Sequence, residues 1–136
     1  PPKFQYVTLA ETIEAYIERL VIPASMQLAF SKENDHAEWG QVPEQTAYES
    51  IDFAGALSNI LKHSEATEVN INLSLSKELL VLLITDNGKP FSDSGTAMGG
   101  IGLNTTQERA KAIGGSLSVN CKGSIQQFQL EIPLSL

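Results

Sequence analysis

The sequence predicts an α+β domain, a two-layer α/β sandwich in which a mixed sheet of about five strands carries three helices on one face. Segments with apolar residues at every second position alternate along the chain with segments whose apolar residues recur every three or four positions. Several strand-like segments follow one another after short turns, which is typical of hairpins packed against helices. With 136 residues, 42% of them hydrophobic, the chain is sized for one domain with a buried core.

The N-terminal part predicts one helix and one short strand. Thr8 with Glu11 three residues later forms a capping box, and Pro23 ends the helix. Residues 25–30 then alternate like a short strand, and the polar, acidic residues 31–42 predict a surface loop. The apolar face of the helix consists of Leu9, Ile13, Tyr16, Ile17 and Leu20.

The middle of the chain predicts a helix and two strands. The second helix begins at Pro43 and runs to about His63. Residues 69–76 alternate between apolar and polar side chains, as in a strand with one wet face. After a turn at residues 77–78, the continuous apolar run of residues 79–84 predicts a strand that is buried on both faces. The apolar stripe of the helix consists of Ile51, Ala54, Leu57 and Leu61.

The C-terminal part predicts a third helix and a hairpin. The helix covers residues 103–113, and glycines at 114–115 cap its C-terminus. Two alternating strands, residues 116–121 and 124–134, form the hairpin. Their alternation predicts that Cys121 is a small buried residue.

The composition excludes several classes of function. The net charge is −7, from 16 acidic and 9 basic residues, and no Lys/Arg cluster marks a surface for a nucleic acid backbone. Cys121 is the only cysteine, which excludes an internal disulfide and a multi-cysteine metal site. His36 and His63 leave little for a histidine-rich metal site. The longest apolar run, residues 79–84, is too short to cross a bilayer, and we expect a cytoplasmic domain.

A polar stripe runs along a second face of the helix predicted over residues 43–63. An amide oxygen is a neutral ligand for a hard cation such as Mg²⁺, and a lysine one turn away neutralises phosphate charge. The stripe therefore suits a metal-bound polyphosphate, although taken alone it is more typical of a solvated helix face. Its members, at spacings of three and four, are Asp52, Gly55, Asn59 and Lys62 or His63.

Two further motifs lie in or beside residues 86–102, a stretch with five glycines that is typical of a functional loop. The carboxylate of Asp86-Asn87-Gly88 follows the most apolar strand and suits an exocyclic amine of a purine, although the same letters are common in turns. The glycines of residues 98–103 free backbone N–H groups for an anion at a helix N-terminus, or serve a flexible loop. This segment lacks the Gly-Lys-Ser/Thr ending of a Walker A loop and the surrounding βαβ unit of a dinucleotide fold.

In this order, the motifs resemble the ATP-binding domain of sensor histidine kinases. The resemblance covers about residues 45–134, and it is closest to the nitrate-sensor/desaturase-sensor type. It implies the two-layer sandwich of the GHKL ATPases, which also include gyrase-type topoisomerases and a heat-shock chaperone. The segments that carry it are Leu57-Ser58-Asn59-Ile60-Leu61-Lys62-His63, Thr85-Asp86-Asn87-Gly88, Gly100-Ile101-Gly102-Leu103, Gln107-Glu108-Arg109-Ala110 and Gly114-Gly115.

On the phosphate side, the resemblance implies that ATP and Mg²⁺ are the cofactors. Asn59 is similar to the family's magnesium ligand, and Lys62 to its phosphate-contacting base. His63 stands where the family usually has His, Tyr or Phe and is expected to pack. The segment that resembles the lid over the phosphates is Gly100, Ile101, Gly102 and Leu103.

On the base side, the resemblance assigns three residues. Asp86 is similar to the carboxylate that reads adenine, and Gly88 to its companion in the turn. The hydroxyl of Thr85 is expected to hold a water that bridges to the purine. No residue is assigned a catalytic role.

The resemblance implies a protein-histidine kinase that transfers the γ-phosphoryl group of Mg-ATP to a histidine on a separate helical dimerisation domain. His36, in an acidic polar loop, is expected to be a surface residue and not that histidine. The expected partners are the nucleotide, the phosphoacceptor domain of the same parent protein and a downstream response regulator. Because the chain starts at Pro1 without methionine, we expect residues 1–136 to be a single-domain fragment of a longer protein, free or membrane-anchored.

Two positions depart from the family pattern. Gly55 stands where the family has Glu or Asn, and glycine offers no side chain to hold a metal or orient a proton acceptor. Pro90 stands where a glycine normally begins the lid, and it removes a backbone N–H. Nucleotide binding is compatible with both changes. The alternative is a degenerate, non-catalytic nucleotide-binding or scaffold module.

Two charged side chains keep open assignments. Asp52, one turn before Gly55, is a candidate to replace the missing carboxylate through a water. Arg109 either contacts phosphate or pairs with Glu108 or Asp93.

Overall fold

The computed structural model describes residues 6–20, 22–34, 41–43, 50, 52–53, 65–76, 78–88 and 103–134. They form an α+β fold, as predicted, and neither helix in this part of the chain is long and apolar enough to span a membrane. The elements in chain order are β1 (Tyr6–Thr8), α1 (Leu9–Arg19), β2 (Gln27–Asn34), β3 (Gln41–Pro43), β4 (Glu68–Leu75), β5 (Leu79–Asp86), α2 (Leu103–Ala112), β6 (Ser116–Lys122) and β7 (Ile125–Pro133).

The predicted count of three helices is not confirmed, because the described residues contain two. Ser50, Asp52 and Phe53 have helical conformation and belong to the helix predicted over residues 43–63. Pro43, predicted to begin that helix, is instead the last residue of β3, so the predicted start is wrong. The remaining residues of the predicted helix lie outside the described ranges.

The main sheet has five strands in the order β2-β4-β5-β7-β6. β2 runs parallel to β4, whereas the other neighbouring strands are antiparallel, so the sheet is mixed, as predicted. β5 is the central strand, and its C-terminal end therefore has a partner strand on each side. β1 and β3 pair separately as a small antiparallel sheet.

The core lies on one face of the main sheet. Alternate residues of β4, β5 and β7 are buried there, together with Ile13 of α1, Ala110 of α2 and the helical Phe53. The prediction that the strand of residues 79–84 is buried on both faces is wrong. Its outward side chains are only half-buried. Among the described residues, the helices pack on the core face and not on this outward face. These outward residues are Leu79, Val81 and Leu83.

The first helix matches the prediction, whereas the strand after it matches only in part. α1 begins at Leu9, directly after Thr8, and ends before Pro23. β2 begins and ends later than predicted. Its last four residues, and Gln41 and Val42 of β3, lie in the segment predicted as a loop. β2 pairs with β4 over its whole length, from Gln27 opposite Glu68 to Asn34 opposite Leu75. Backbone pairing does not require apolar side chains, which is why the alternation pattern missed the second, polar half of this edge strand.

The C-terminal helix ends in the predicted glycine cap. Gly114 has φ +82° and donates its N–H to the carbonyl of Lys111 at 3.0 Å, while the N–H of Gly115 bonds the carbonyl of Ala110 at 2.7 Å. These two bonds define a Schellman motif. The hairpin of β6 and β7 is confirmed, with Gly123 (φ +60°) in its two-residue turn.

Cys121 is exposed, so the prediction that it is buried is wrong. It lies on the same face of β6 as Leu117 and Val119, but β6 is an edge strand, and burial decreases along that face from Leu117 to Cys121. Alternation predicts which face a side chain is on, and it does not predict where the covering helix ends.

Candidate functional site

Asp86 is the last residue of β5, and its carboxylate is buried on the core face of the sheet. The residue is 2% exposed and points to the same face as Ile84. Its Oδ1 accepts a hydrogen bond from the N–H of Gly88 at 2.8 Å, and its Oδ2 accepts one from Nε2 of Gln126 at 3.3 Å. A buried carboxylate needs such donors. Because a carboxylate has about four acceptor positions, it keeps the capacity to accept from a ligand.

Asn87 ties the end of β5 to the start of β4. Its Oδ1 accepts from the backbone N–H groups of Thr67 and Glu68, at 2.9 and 3.0 Å. Its Nδ2 donates to Oγ1 of Thr67 at 2.8 Å, and its own N–H donates to the carbonyl of Glu68 at 3.3 Å. The middle residue of the Asp-Asn-Gly motif is therefore structural, and it holds Asp86 and Gly88 in place on either side.

Gln126 was not predicted as a site residue. It lies on β7 directly opposite Asp86 and is 1% exposed. The signal that identifies it is the two-residue period of β7: because Phe128, Leu130 and Ile132 are buried, the same alternation turns Gln126 inward. A polar residue at an inward position needs a partner, and Asp86 is one.

Asp86 and Gln126 belong to one row of residues that lie opposite each other on neighbouring strands of the sheet. Val69 of β4 is opposite Asp86, Asp86 is opposite Gln126, and Gln126 is opposite Cys121 of β6. The row is buried at Val69, Asp86 and Gln126 and exposed at Cys121. It therefore opens to solvent at the β6 edge, about 10 Å from Asp86 across two strand spacings.

Thr85 lies on the other face of the sheet. It is opposite Asn70 of β4 and Gln127 of β7, and successive residues of a strand point to opposite faces. The structure therefore separates its side chain from Asp86, and the expectation that its hydroxyl bridges to the same purine through a water has no geometric support. Of the base-side residues predicted from the sequence, Asp86 and Gly88 are brought together.

Several predicted residues lie outside the described ranges. The backbone of Leu103 is described and begins α2, so the lid segment leads into a helix as expected. The predicted residues outside the ranges are His36, Gly55, Asn59, Lys62, His63, Pro90, Gly100, Ile101 and Gly102.

Arg109 of α2 pairs with Asp52, with Nη1 and Oδ2 3.3 Å apart. Among the described residues, Arg109 thus pairs with Asp52 and not with Glu108. Asp93 lies outside the described ranges, and the contact of Arg109 with phosphate stays a prediction. The side chains are 52% and 59% exposed, so the pair contributes little to stability. It links α2 to the helical segment around Asp52.

The described residues include no group of three or more His, Cys, Asp or Glu side chains that could hold a metal ion. Asp86 is a single carboxylate whose two oxygens each accept from an N–H donor, and among the described residues no second carboxylate, His or Cys joins it in such a group. The predicted metal ligand, Asn59, is outside the described ranges, so this part of the prediction stays open.

No protein-family model matches the chain. The chain is 36% identical over 80 residues to the sensor histidine kinase LiaS of Bacillus subtilis, a match that covers 58% of the chain and 22% of LiaS. It is 32% identical over 88 residues to the signal transduction histidine-protein kinase/phosphatase DegS of the same organism, covering 60% of the chain and 22% of DegS. The chain thus spans about a fifth of the length of these curated relatives.

Solved structures of histidine kinases share the fold. The histidine kinase domain of the blue-light activated histidine kinase from Erythrobacter litoralis EL346 has a TM-score of 0.65 at 19% identity, covering 93% of this chain and 59% of that one. The catalytic domain of histidine kinase ThkA, in a nucleotide-free form, has a TM-score of 0.64 at 16% identity, covering 98% and 97%. ThkA in complex with the response regulator protein TrrA has a TM-score of 0.61 at 16% identity, covering 97% and 42%.

The sequence comparison and the structure comparison both point to histidine kinases. The finer assignment to the nitrate-sensor/desaturase-sensor type stays a prediction. The chain is homologous to sensor histidine kinases, and its fold is that of histidine kinase catalytic domains.

Proposed function

We propose that the chain is the ATP-binding catalytic domain of a two-component sensor histidine kinase. The observation that carries the proposal is the buried Asp86 carboxylate at the end of the central strand, held by Gly88 and Gln126 in a fold shared with histidine kinase catalytic domains. Catalytic domains of this kind bind ATP. A carboxylate that accepts without donating suits the 6-amino group of adenine.

The phosphate side of the proposed site comes from the resemblance. Asn59 would hold Mg²⁺ and Lys62 would contact the phosphates, while the glycine-rich segment from Gly100 to Leu103 closes over them. Mg²⁺ supplies charge neutralisation for the transferred phosphoryl group. The part played by the chain in catalysis is positioning, since phosphoryl transfer needs little further chemistry from the protein.

The partners follow from the same proposal. The γ-phosphoryl group passes to a histidine on a helical dimerisation domain of the parent protein, and from there to a response regulator. ThkA has been solved in complex with a response regulator protein, which supports a response regulator as a partner of the parent protein. The nucleotide requires that the domain faces the cytoplasm, whether or not the parent protein is anchored in a membrane.

Titration of the chain with ATP, with and without Mg²⁺, tests the proposal. We expect binding at or below millimolar ATP and a loss of at least about tenfold in Asp86→Asn, because the amide presents a donor where the carboxylate accepts. Glu33→Gln, at an exposed residue of β2, removes the same charge and should bind as the unchanged chain does. Absence of ATP binding, or equal binding by Asp86→Asn, would overturn the proposal.

A second candidate function is a non-catalytic nucleotide-binding or scaffold module. Gly55 favours it, because the family's Glu or Asn is missing there, and in the structure Asp52 contacts Arg109. The kinase proposal expects the parent protein to form phosphohistidine from ATP. If phosphohistidine appears only after Gly55→Glu, the second function is correct.

A further inference from the structure

The described part of the chain contains three buried polar residues, and two of them, Asp86 and Gln126, are joined by a hydrogen bond. We propose that Gln126 is a positioning residue that determines base selectivity: by holding Oδ2 of Asp86, it makes the site select purines that carry a 6-amino group. This inference rests on the proposed ATP-binding function and adds to it a residue on a different strand. Gln126 acts through Asp86.

The geometry explains why a second donor matters. The terminal torsion of an aspartate is broad, so the single bond from the N–H of Gly88 to Oδ1 leaves the carboxylate free to swing about that contact. Gln126 is directly opposite Asp86, where Cβ atoms are about 5 Å apart. The longer glutamine side chain spans this gap and bonds the other oxygen. With a donor on each oxygen, the plane of the carboxylate is fixed.

The chemistry of the pair gives the selectivity. Gln126 uses an Nε2 donor on Asp86, so the carboxylate oxygen faces a base as an acceptor in a fixed position. A 6-amino group donates to that oxygen. A purine without the amino group leaves the buried oxygen without this donor, and a 6-keto group brings two acceptors together. Without Gln126 the carboxylate turns away, and the difference between these bases shrinks.

A double-mutant cycle between protein and ligand tests this coupling. The affinity of the chain is measured for ATP and for the triphosphate of unsubstituted purine riboside, which lacks only the 6-amino group. Gln126→Met keeps the length of the side chain and removes the amide, and Gln126→Leu removes the donor with a shorter apolar side chain. Gln127→Met is the matched control, because Gln127 is the next residue of β7 and faces the other side of the sheet.

We expect the unchanged chain and Gln127→Met to prefer ATP by about tenfold or more, and both variants of Gln126 to prefer it by less than about threefold. Each preference is a ratio within one protein, so partial unfolding of a variant cancels. If ATP binds but the preference is the same with and without Gln126, the selectivity inference is wrong while the proposed function stands. If the unchanged chain does not bind ATP, both are wrong.

Discussion

Within Asp86-Asn87-Gly88, each residue has a different task. Asp86 has a buried carboxylate, and the N–H of Gly88 donates a hydrogen bond to it. The side chain of Asn87 makes three hydrogen bonds to Thr67 and Glu68, which connect the end of β5 to the start of β4. Asn87 therefore has a structural role, as the interpretation as a turn sequence suggested. The interpretation as a ligand-binding motif stays a prediction for Asp86 and Gly88.

We expect Asn87→Ala to lower the free energy of unfolding by about 1–3 kcal/mol, because two backbone N–H groups and the hydroxyl of Thr67 lose their partner. Asn87→Asp keeps the oxygen that accepts from both N–H groups, so its cost should be smaller. Urea denaturation followed by circular dichroism measures both variants. An equal cost for Ala and Asp would mean that the two bonds to the backbone do not matter.

At the residue scale, the sequence predicted the carboxylate but not its partner. The alternation of β7 was visible, yet the run Gln126-Gln127 has no apolar member to mark the inward face, so the pattern had to be extended from Phe128. Thr85 shows the opposite case. Adjacency to Asp86 in sequence suggested a shared site, whereas the pleat of a strand places neighbours on opposite faces.

At the scale of elements, strongly periodic segments were predicted well, whereas the polar half of the edge strand β2 was not. β4, β5, α2 and the β6–β7 hairpin lie close to where periodicity and glycine placement put them. β2 extends through polar residues because its ladder to β4 consists of backbone bonds, and Lys32 on it also pairs with Glu14 of α1 at 3.4 Å. Such contacts between distant segments leave no periodic trace in the sequence.

The end of α2 illustrates an element boundary that sequence and structure both specify. Gly114 takes the left-handed conformation of the cap, with open space where a Cβ would be. Gly115 has a different reason to be glycine: a Cβ there would clash with the backbone carbonyl of Glu131 on β7. The two adjacent glycines thus serve the turn and the close packing of the helix end against the sheet, respectively.

Alanine substitutions should separate these two roles. Gly114→Ala is expected to cost about 1 kcal/mol, the penalty of a left-handed non-glycine residue. Gly115→Ala should cost more, about 3 kcal/mol, because backbone of β7 has to move. Thermal and urea unfolding of the two variants under identical conditions give the comparison. A larger cost at Gly114 would contradict this assignment of the two glycines.

At the scale of the whole molecule, the net charge of the chain is negative, as is that of its proposed ligand, ATP. A domain with net charge −7 repels a polyphosphate at long range, so attraction has to be local. The residues proposed for this are Lys62 and the backbone N–H groups at the start of α2, together with a bound Mg²⁺. Such a site differs from a basic patch in how it responds to salt, since salt screens repulsion as well as attraction.

In the absence of Mg²⁺, we expect ATP to bind about two- to threefold more tightly when ionic strength rises from about 0.01 to about 0.15 M, because the Debye length falls from about 30 to about 8 Å and repulsion from the acidic domain is screened. Mg²⁺ should strengthen binding and reduce this salt effect, since it neutralises part of the phosphate charge before the nucleotide meets the protein. Adenosine is the control: it presents the same base to Asp86 without phosphates, so its affinity should not change with salt. Titration calorimetry across this series decides the matter. If metal-free ATP binds more weakly as salt rises while adenosine is unaffected, the electrostatic potential around the site is positive in spite of the net charge. The inference that the domain repels phosphate at long range and attracts it only through a few local groups is then wrong.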